Sequence, residues 1–387
     1  MFAGLLAVQL ALAGDDATGA RPGLGAPVLE WKPVLELRTG VESELTLPDG
    51  GGSDLFTLAG RLGLEAQRKS LRLRLSLADS VVWHPIGITL TDGPRFGEAW
   101  AGWSVPLSSA LGLEFSGGIQ PLEWDDGAVL GDDDLRLEGN FPLAGRVRVR
   151  ALPWELDAIT GMAVQHDRFG SDWSSAFHAL RLGAGRENPS AAWKVGAVFL
   201  LVNTWESDVY ALERSPLLTT GLTASAAVGR VRASADGYLQ PTVGAPAPMA
   251  SGQLGWALGD DARVVLSGRF DWLGGGETPT FLRPLADTHQ RFGWLGLFDD
   301  TGLRSGAGAL DAALTAKATI APPLRLDAAV HHLWDGAGEP LGGELDADLK
   351  WYFSPLAAVH VRGGAFVPWS NDETVRIQSA VTIDASL

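Results

Sequence analysis

The chain of 387 residues contains no cysteine, and it carries only 30 lysine and arginine residues against 46 acidic ones. The absence of cysteine excludes disulfides and thiolate metal sites, and it suits a protein that passes through an oxidising periplasm. The net charge of −16 argues against nucleic acid as a partner, because phosphate binding requires a basic surface. The chain also lacks an apolar run of about 20 residues, which a membrane helix requires.

What the chain has in quantity is strict alternation of apolar and polar residues. Residues 69–79 read KSLRLRLSLAD, and residues 146–151 read RVRVRA. A period of two places one residue type on each face of a β-strand. Comparable segments recur at 29–38, 56–65, 111–120, 193–201, 263–272, 344–353 and 375–387. No stretch shows a helical period, so the sequence predicts an all-β protein.

The links between these segments alternate in length, and the segments predict about 18 strands. Short links fall at 67–70, 152–153, 229–230, 259–261, 321–323 and 354–356, and long links fall at about 80–95, 121–144, 203–216, 240–249, 273–304 and 368–374. This pattern is typical of an up-and-down antiparallel barrel that spans a membrane. Short turns would then be periplasmic, long loops extracellular, and both chain ends would lie on the short-turn rim.

The distribution of charge indicates which strand face points inward. Basic and acidic residues occur together in the strands, opposite an oily face, whereas the excess of acids lies in loops. A soluble β-sandwich does not require charged residues on one face of almost every strand. A barrel with a water-filled lumen does require them, because its inner face is wet. The predicted lining residues are Lys32, Arg38, Arg61, Arg72, Arg74, Glu98, Glu114, Gln120, Arg146, Arg148, Arg150, Arg263, Arg269, Asp271, Glu344, Asp346, Asp348, Lys350, Arg362 and Arg376.

The N-terminus divides the chain into three predicted parts. Residues 1–13 combine an apolar run with a small-residue site before Gly14, as a secretory signal peptide does. Residues 14–27 form a short lead-in, and residues 28–387 form a single barrel domain. The alternative for the first residues is a buried N-terminal segment. Export is the preferred interpretation, and with the barrel it predicts the outer membrane of a Gram-negative bacterium, with membrane lipid as a partner.

No sequence pattern indicates an enzyme or a cofactor. The seven histidines are scattered, and no metalloprotease, nucleophile-elbow or phosphate-loop motif is present. Glu344, Asp346 and Asp348 share one strand face and could bind a hard cation, but a wall neutralised by neighbouring basic residues is the preferred interpretation. The run Asp132–Asp134 could hold calcium in an external loop, although a solvated loop explains it more simply.

Two basic rows, Arg72–Arg74 and Arg146–Arg150, are the most specific charged features. Such rows repel themselves unless carboxylates on nearby strands, such as Glu98 and Glu114, or an anionic solute balance them. Both interpretations stay open, since porins use the two together.

Several motifs resemble the alginate export family of bacterial outer-membrane barrels, whose members have 18 strands. They are DSVVW at 79–83, EAWAGW at 98–103, GGIQPLEWDDGAVLGDDDL at 117–135, THQRFGW at 288–294, DDTGL at 299–303, HHLWD at 331–335, LGGELD at 341–346 and GGAFVPW at 363–369. The resemblance implies a channel that exports an anionic polysaccharide.

The sequence therefore predicts a passive channel for a polar or anionic solute such as a polysaccharide, in which the long loops 121–144 and 273–304 plug or gate the pore. Two alternatives remain. One is a general porin for small solutes, and the other is a structural or enzymatic barrel with a plugged lumen.

Overall fold

The computed structural model describes residues 30–47, 51–84, 87–89, 95–124, 129–131, 142–166, 172–187, 191–204, 216–241, 245–259, 263–275, 281, 308–354, 357–369 and 375–386. The predicted signal peptide 1–13 and lead-in 14–27 lie outside these residues. No helix within them is long and apolar enough to cross a membrane.

The described residues form nineteen β-strands, of which β4 has only three residues. The strands are β1 Glu30–Leu47, β2 Gly51–Arg68, β3 Leu71–His84, β4 Gly87–Thr89, β5 Arg95–Pro106, β6 Leu111–Ile119, β7 Leu143–Ala151, β8 Trp154–His166, β9 Asp172–Glu187, β10 Ala191–Thr204, β11 Leu217–Val228, β12 Val231–Gln240, β13 Ala247–Leu258, β14 Val264–Leu273, β15 Ala309–Ala321, β16 Leu324–Asp335, β17 Pro340–Ser354, β18 Ala357–Pro368 and β19 Val375–Ser386.

The long strands pair antiparallel with their neighbours in the chain, and the sheet closes on itself. The first strand, β1, pairs with β2 on one side and with the last strand, β19, on the other. The short strand β4 pairs with the end of β3, while β3 pairs directly with β5. The barrel wall therefore has 18 strands, which confirms the fold class predicted from alternation.

The connections sort onto two rims, as the link lengths predict. Turns at Leu152-Pro153 and Gly229-Arg230 lie on one rim, together with the start of β1 and the end of β19. The strand ends that flank links 120–142, 205–216 and 274–308 lie on the opposite rim. We call these the short-turn rim and the long-loop rim. Two short links, at 48–50 and 336–339, also lie on the long-loop rim, and the sequence pattern did not single them out.

The outer face of the wall is mainly apolar wherever its side chains are described. On β3, Leu75 and Leu77 are 53% and 50% exposed, whereas Ser76 between them is 1% exposed. The same inversion recurs on β15, where Leu314 is 71% exposed and Asp311 is fully buried. A soluble protein buries its leucines, so this pattern is that of a wall that faces lipid on one side and polar groups on the other.

Tryptophans mark both ends of this apolar band. Trp31, Trp154 and Trp351 are exposed near the short-turn rim. Near the long-loop rim, the His332 ring lies 3.9 Å from the Trp334 ring and 4.4 Å from the Trp369 ring. Rings with one polar edge prefer the boundary between hydrocarbon and water, so the two sets define the membrane interfaces of the barrel.

The inside of the barrel is apolar near the long-loop rim. Phe177, Tyr238, Met249 and Leu273 face inward there and are almost fully buried. Residues from two long links pack among them. These residues are Leu122, Trp124, Val129 and Leu130 from the β6–β7 link, and Phe281 from the β14–β15 link. Parts of both links that the sequence assigned to plugging or gating therefore lie buried against the inner wall.

We expect Leu314→Arg to destabilise the barrel by about 2–4 kcal/mol, because it places a charge near the middle of the lipid-facing band. Leu107→Arg is the matched control, since this exposed leucine lies in the β5–β6 turn, where the cost falls to about 0–1 kcal/mol. Equilibrium unfolding by urea in lipid vesicles measures both values. Equal values for the two variants would contradict the assignment of the outer face.

Candidate functional site

The predicted lining residues lie on the strand face opposite the exposed leucines. Lys32 and Arg263 are exposed at the short-turn rim, whereas Glu98, Asp271, Glu344 and Asp346 are buried. Arg38 falls at a described backbone position, where it is aligned with Asp384, but its side chain lies outside the described residues. Two groups of these residues occupy different sectors of the wall.

The first group, which we call the arginine cluster, spans β2 to β8. Its members are Arg61, Arg72, Arg74, Arg146, Arg148 and Arg150, with the acids Glu65, Glu98, Glu114, Glu155 and Asp157.

Glu98 joins the arginines of β2 and β3. Its carboxylate lies 3.3 Å from Arg61 Nη1 and 3.0 Å from Arg74 Nη2, and it accepts a hydrogen bond of 2.9 Å from Trp100 Nε1. The Glu98 backbone N–H donates to Ser76 Oγ. Because the side chain is only 4% exposed, water contributes little to solvating this charge, and the arginines hold it.

Asp157 plays the same part for the arginines of β7. Arg146 Nε donates to Asp157 Oδ1 at 2.9 Å, and Arg148 Nη2 lies 3.4 Å from Oδ2. Arg148 also lies 3.5 Å from Glu114 on β6. The row of arginines predicted from RVRVRA is thus balanced by carboxylates of both neighbouring strands.

Exposure separates the arginines into two kinds. The side chains of Arg61, Arg74, Arg146 and Arg148 are 13% to 19% exposed and lie in ion pairs. Those of Arg72 and Arg150 are 50% and 55% exposed, although each has a carboxylate within 3.5 Å. The four less exposed arginines therefore belong to the wall, whereas Arg72 and Arg150 present charge to the lumen.

A cavity of about 570 Å³ lies beside Arg150 at the short-turn rim. Its basic members are Lys69, Arg148 and Arg150, and Glu114 is its acid. The side chain of Ser104 adds a hydroxyl group, and Pro106 adds apolar surface. Such a volume suits a small organic molecule, and the charge of its lining suits an anion.

The second group, which we call the acidic cluster, spans β14 to β18. It comprises Asp271, Asp311, Glu344, Asp346 and Asp348 with Arg269, His331, His360 and Arg362. Strands β9–β13 separate it from the arginine cluster in one direction, and β19 and β1 separate it in the other. The described lining therefore has an arginine-rich sector, in which six arginines face five carboxylates, and an acidic sector.

Basic partners hold the acids of this second group. Arg269 Nε lies 2.6 Å from Asp271, His331 Nδ1 lies 2.9 Å from Asp311, and Arg362 Nε lies 3.3 Å from Asp348. The pairing of Asp348 favours the neutralised wall over a cation site on β17. Among the described residues, no group of three or more His, Asp or Glu side chains is placed to hold a metal ion. The run Asp132–Asp134 lies outside them.

The structure adds residues that the sequence did not select. Asp311 and His331 lie between Arg269 and Asp346, and Trp124 reaches from a loop to Asp157. Alternation signals Asp311 and His331, because both share a strand face with inward residues. No sequence pattern signals the contact of Trp124, since it joins a loop to a strand that follows much later in the chain.

We expect Glu98→Gln to destabilise the folded barrel by about 3–5 kcal/mol, because it leaves Arg61 and Arg74 with too little compensating charge. Arg72→Met should cost under about 1 kcal/mol, since this arginine is half exposed and its ion pair is screened by water. Unfolding in urea, monitored by the heat-modifiable migration of the folded barrel on gels, measures the change in unfolding free energy of both variants. A cost for Arg72→Met equal to that for Glu98→Gln would contradict the division into buried and exposed arginines.

The sequence matches no family model and no curated protein. The fold, in contrast, matches solved structures of outer-membrane porins with 18 strands. OpdK of Pseudomonas aeruginosa, solved with vanillate, is 13% identical with a TM-score of 0.65, and the alignment covers 92% of this chain and 98% of that chain. OccAB4 of Acinetobacter baumannii is 9% identical with a TM-score of 0.65, over 95% of this chain and 100% of that one.

OpdQ of Pseudomonas aeruginosa is a third example, with 10% identity, a TM-score of 0.60, and coverage of 92% of this chain and 99% of that chain. At such identities the likeness concerns the fold. It supports the predicted closed barrel of 18 antiparallel strands, and it gives no support to the resemblance to the alginate export family.

Proposed function

We propose that this chain is an outer-membrane porin for small polar solutes, with a preference for anions. The observation that carries the proposal is the closed wall with two chemically opposite faces. Its described outer face is mainly apolar, and its inner face holds the arginine cluster and the acidic cluster. Lipid is the partner of the first face, and a hydrated solute is the partner of the second.

A small solute fits the interior better than a polymer. Leu122, Trp124 and Phe281 are buried inside the barrel, where they reduce the open cross-section. A polysaccharide chain requires an unobstructed path over its whole length. The inserted residues therefore favour the small-solute porin, which the sequence left as an alternative, over export of an alginate-like polymer.

The preference for anions rests on the cavity at the short-turn rim. Lys69 and Arg150 are exposed there, and Arg148 adds a third basic group, against the single carboxylate of Glu114 in the lining. The solved structure of OpdK with vanillate, an aromatic carboxylate, shows that a barrel of this fold binds such an anion.

The acidic cluster keeps this preference weak. The acidic cluster has five carboxylates against two arginines, so its net charge attracts a cation on one side of the lumen, while an anion is attracted to Arg150 on the other. Opposed sectors of this kind orient a polar solute across the lumen and do not exclude either sign. We expect transport without a chemical step and without a cofactor.

We expect the double variant Lys69→Gln, Arg150→Gln to shift the reversal potential in a potassium chloride gradient toward cation preference. The shift should be largest at low salt and nearly absent at 1 M, where the screening length is about 3 Å. Planar-bilayer recording measures it. Arg186→Gln is the matched control, because Arg186 is an exposed arginine on the outer face of β9, where it is aligned with Trp193.

A double variant whose reversal potential equals that of the parent at low salt would sink the anion preference while leaving the channel itself in place. A parent protein that carries no current in the bilayer would instead support the barrel with a plugged lumen.

A further inference from the structure

We propose that Asp157 is the residue that positions the constriction of this channel. It holds a segment of the β6–β7 link against the inner wall and at the same time balances the arginines of β7. The segment comprises residues 120–124 and 129–131, and we call it the inserted segment. The proposal deepens the proposed function, because the inserted segment narrows the lumen of the same channel.

The inserted segment leaves the wall at the end of β6. Gly118 has a φ of +125°, and a Cβ at this position would lie 2.0 Å from the carbonyl oxygen of Ala99, so only glycine fits. Two residues later, Gln120 is buried, and its Nε2 donates to the carbonyl oxygen of Ala144 at 2.8 Å. The chain therefore turns inward at a defined point, with its first polar side chain paired to β7.

The segment then folds back on itself inside the barrel. The backbone N–H of Trp124 donates to the carbonyl oxygen of Leu130 at 2.9 Å, and the two residues form an isolated β-bridge. Leu122, Trp124, Val129 and Leu130 are 1% to 3% exposed. A segment held only by apolar contacts can slide along an apolar wall. A directional contact is therefore needed to hold the inserted segment at one depth in the barrel.

Asp157 supplies that contact. Trp124 Nε1 donates to Asp157 Oδ2 at 3.1 Å, and the same carboxylate receives the hydrogen bonds of Arg146. Asp157 lies on β8, in register with Arg148 on β7 and with Arg181 on β9. The indole of tryptophan has a single N–H donor, so one hydrogen bond fixes the orientation of the ring. A buried, charged acceptor makes this hydrogen bond stronger than one between neutral groups.

The carboxylate therefore links the position of the segment to the charge of the lumen. Without it, the indole would have no acceptor there, and Arg146 would lose the carboxylate that it contacts with both Nε and Nη2. The position of the inserted segment and the charge selectivity of the lumen would therefore change together. A residue with a merely structural role would change stability and leave the motion of the inserted segment as it is.

Two variants separate these effects. Trp124→Phe keeps the apolar ring and removes only the N–H donor, so it should loosen the inserted segment without altering charge. Asp157→Asn keeps an acceptor for the indole but removes the charge, so it should raise anion preference by exposing the positive potential of Arg146 and Arg148. Trp103→Phe is the matched control, because its indole N–H bonds Ser70 on the outer face, away from the lumen.

The first measurement is the labelling rate of a reporter thiol. The chain has no cysteine, so Val129→Cys places a single thiol on the inserted segment, and a maleimide reports how often it becomes exposed. We expect Trp124→Phe to raise the labelling rate about tenfold, as the loss of a hydrogen bond to a charged acceptor implies. Trp103→Phe should leave the rate unchanged.

The second measurement is single-channel recording in planar bilayers. Trp124→Phe should add time in a higher-conductance state with an unchanged reversal potential, whereas Asp157→Asn should shift the reversal potential toward anion preference. Labelling that rises equally in the Trp124 and Trp103 variants, or in neither, would overturn the role of Asp157. A parent without current but with the labelling difference would sink the proposed function and leave this inference standing.

Discussion

The structure depends on one constraint, which is that backbone N–H and C=O groups cannot remain unpaired in hydrocarbon. A sheet meets this constraint only when it has no edge, and here β1 pairs with both β2 and β19 so that the ring closes. Closure turns the two faces of every strand into an outside and an inside. All later features, including the apolar band and the charged interior, follow from that division.

Closure also explains why so many ion pairs occur on the inner wall. A charged side chain in the middle of the lipid-facing band is costly, so most charged side chains gather inside, where neighbouring strands bring them close together. Glu98 and Asp157 each serve arginines of more than one position because strands in a sheet lie about 4.8 Å apart. Burial makes each pair necessary, since the removal of one partner leaves a charge that water cannot solvate.

The interior is divided in two directions, and the division suits a channel with limited throughput. Along the axis, the apolar residues near the long-loop rim, such as Tyr238 and Phe281, surround the inserted segment, whereas the cavity with Arg150 lies at the short-turn rim. Around the wall, the arginine cluster and the acidic cluster occupy separate sectors. In the proposed channel a solute would meet both the apolar inserted segment and the field between the two clusters, so its size and its charge would both affect passage.

The sequence by itself determined the strands, the closed architecture, the two rims and the inward side of nearly every charged residue, because a period of two is a local property of the backbone. Resemblance of short motifs led to the alginate export family, which the fold comparisons do not support, since short turn and strand motifs are shared by barrels that carry different solutes. Only the tertiary structure decided which arginines are buried in ion pairs and which are exposed, and that Trp124 meets Asp157. These facts depend on the register between strands and on where a loop re-enters the barrel, and neither is encoded by alternation within a single segment.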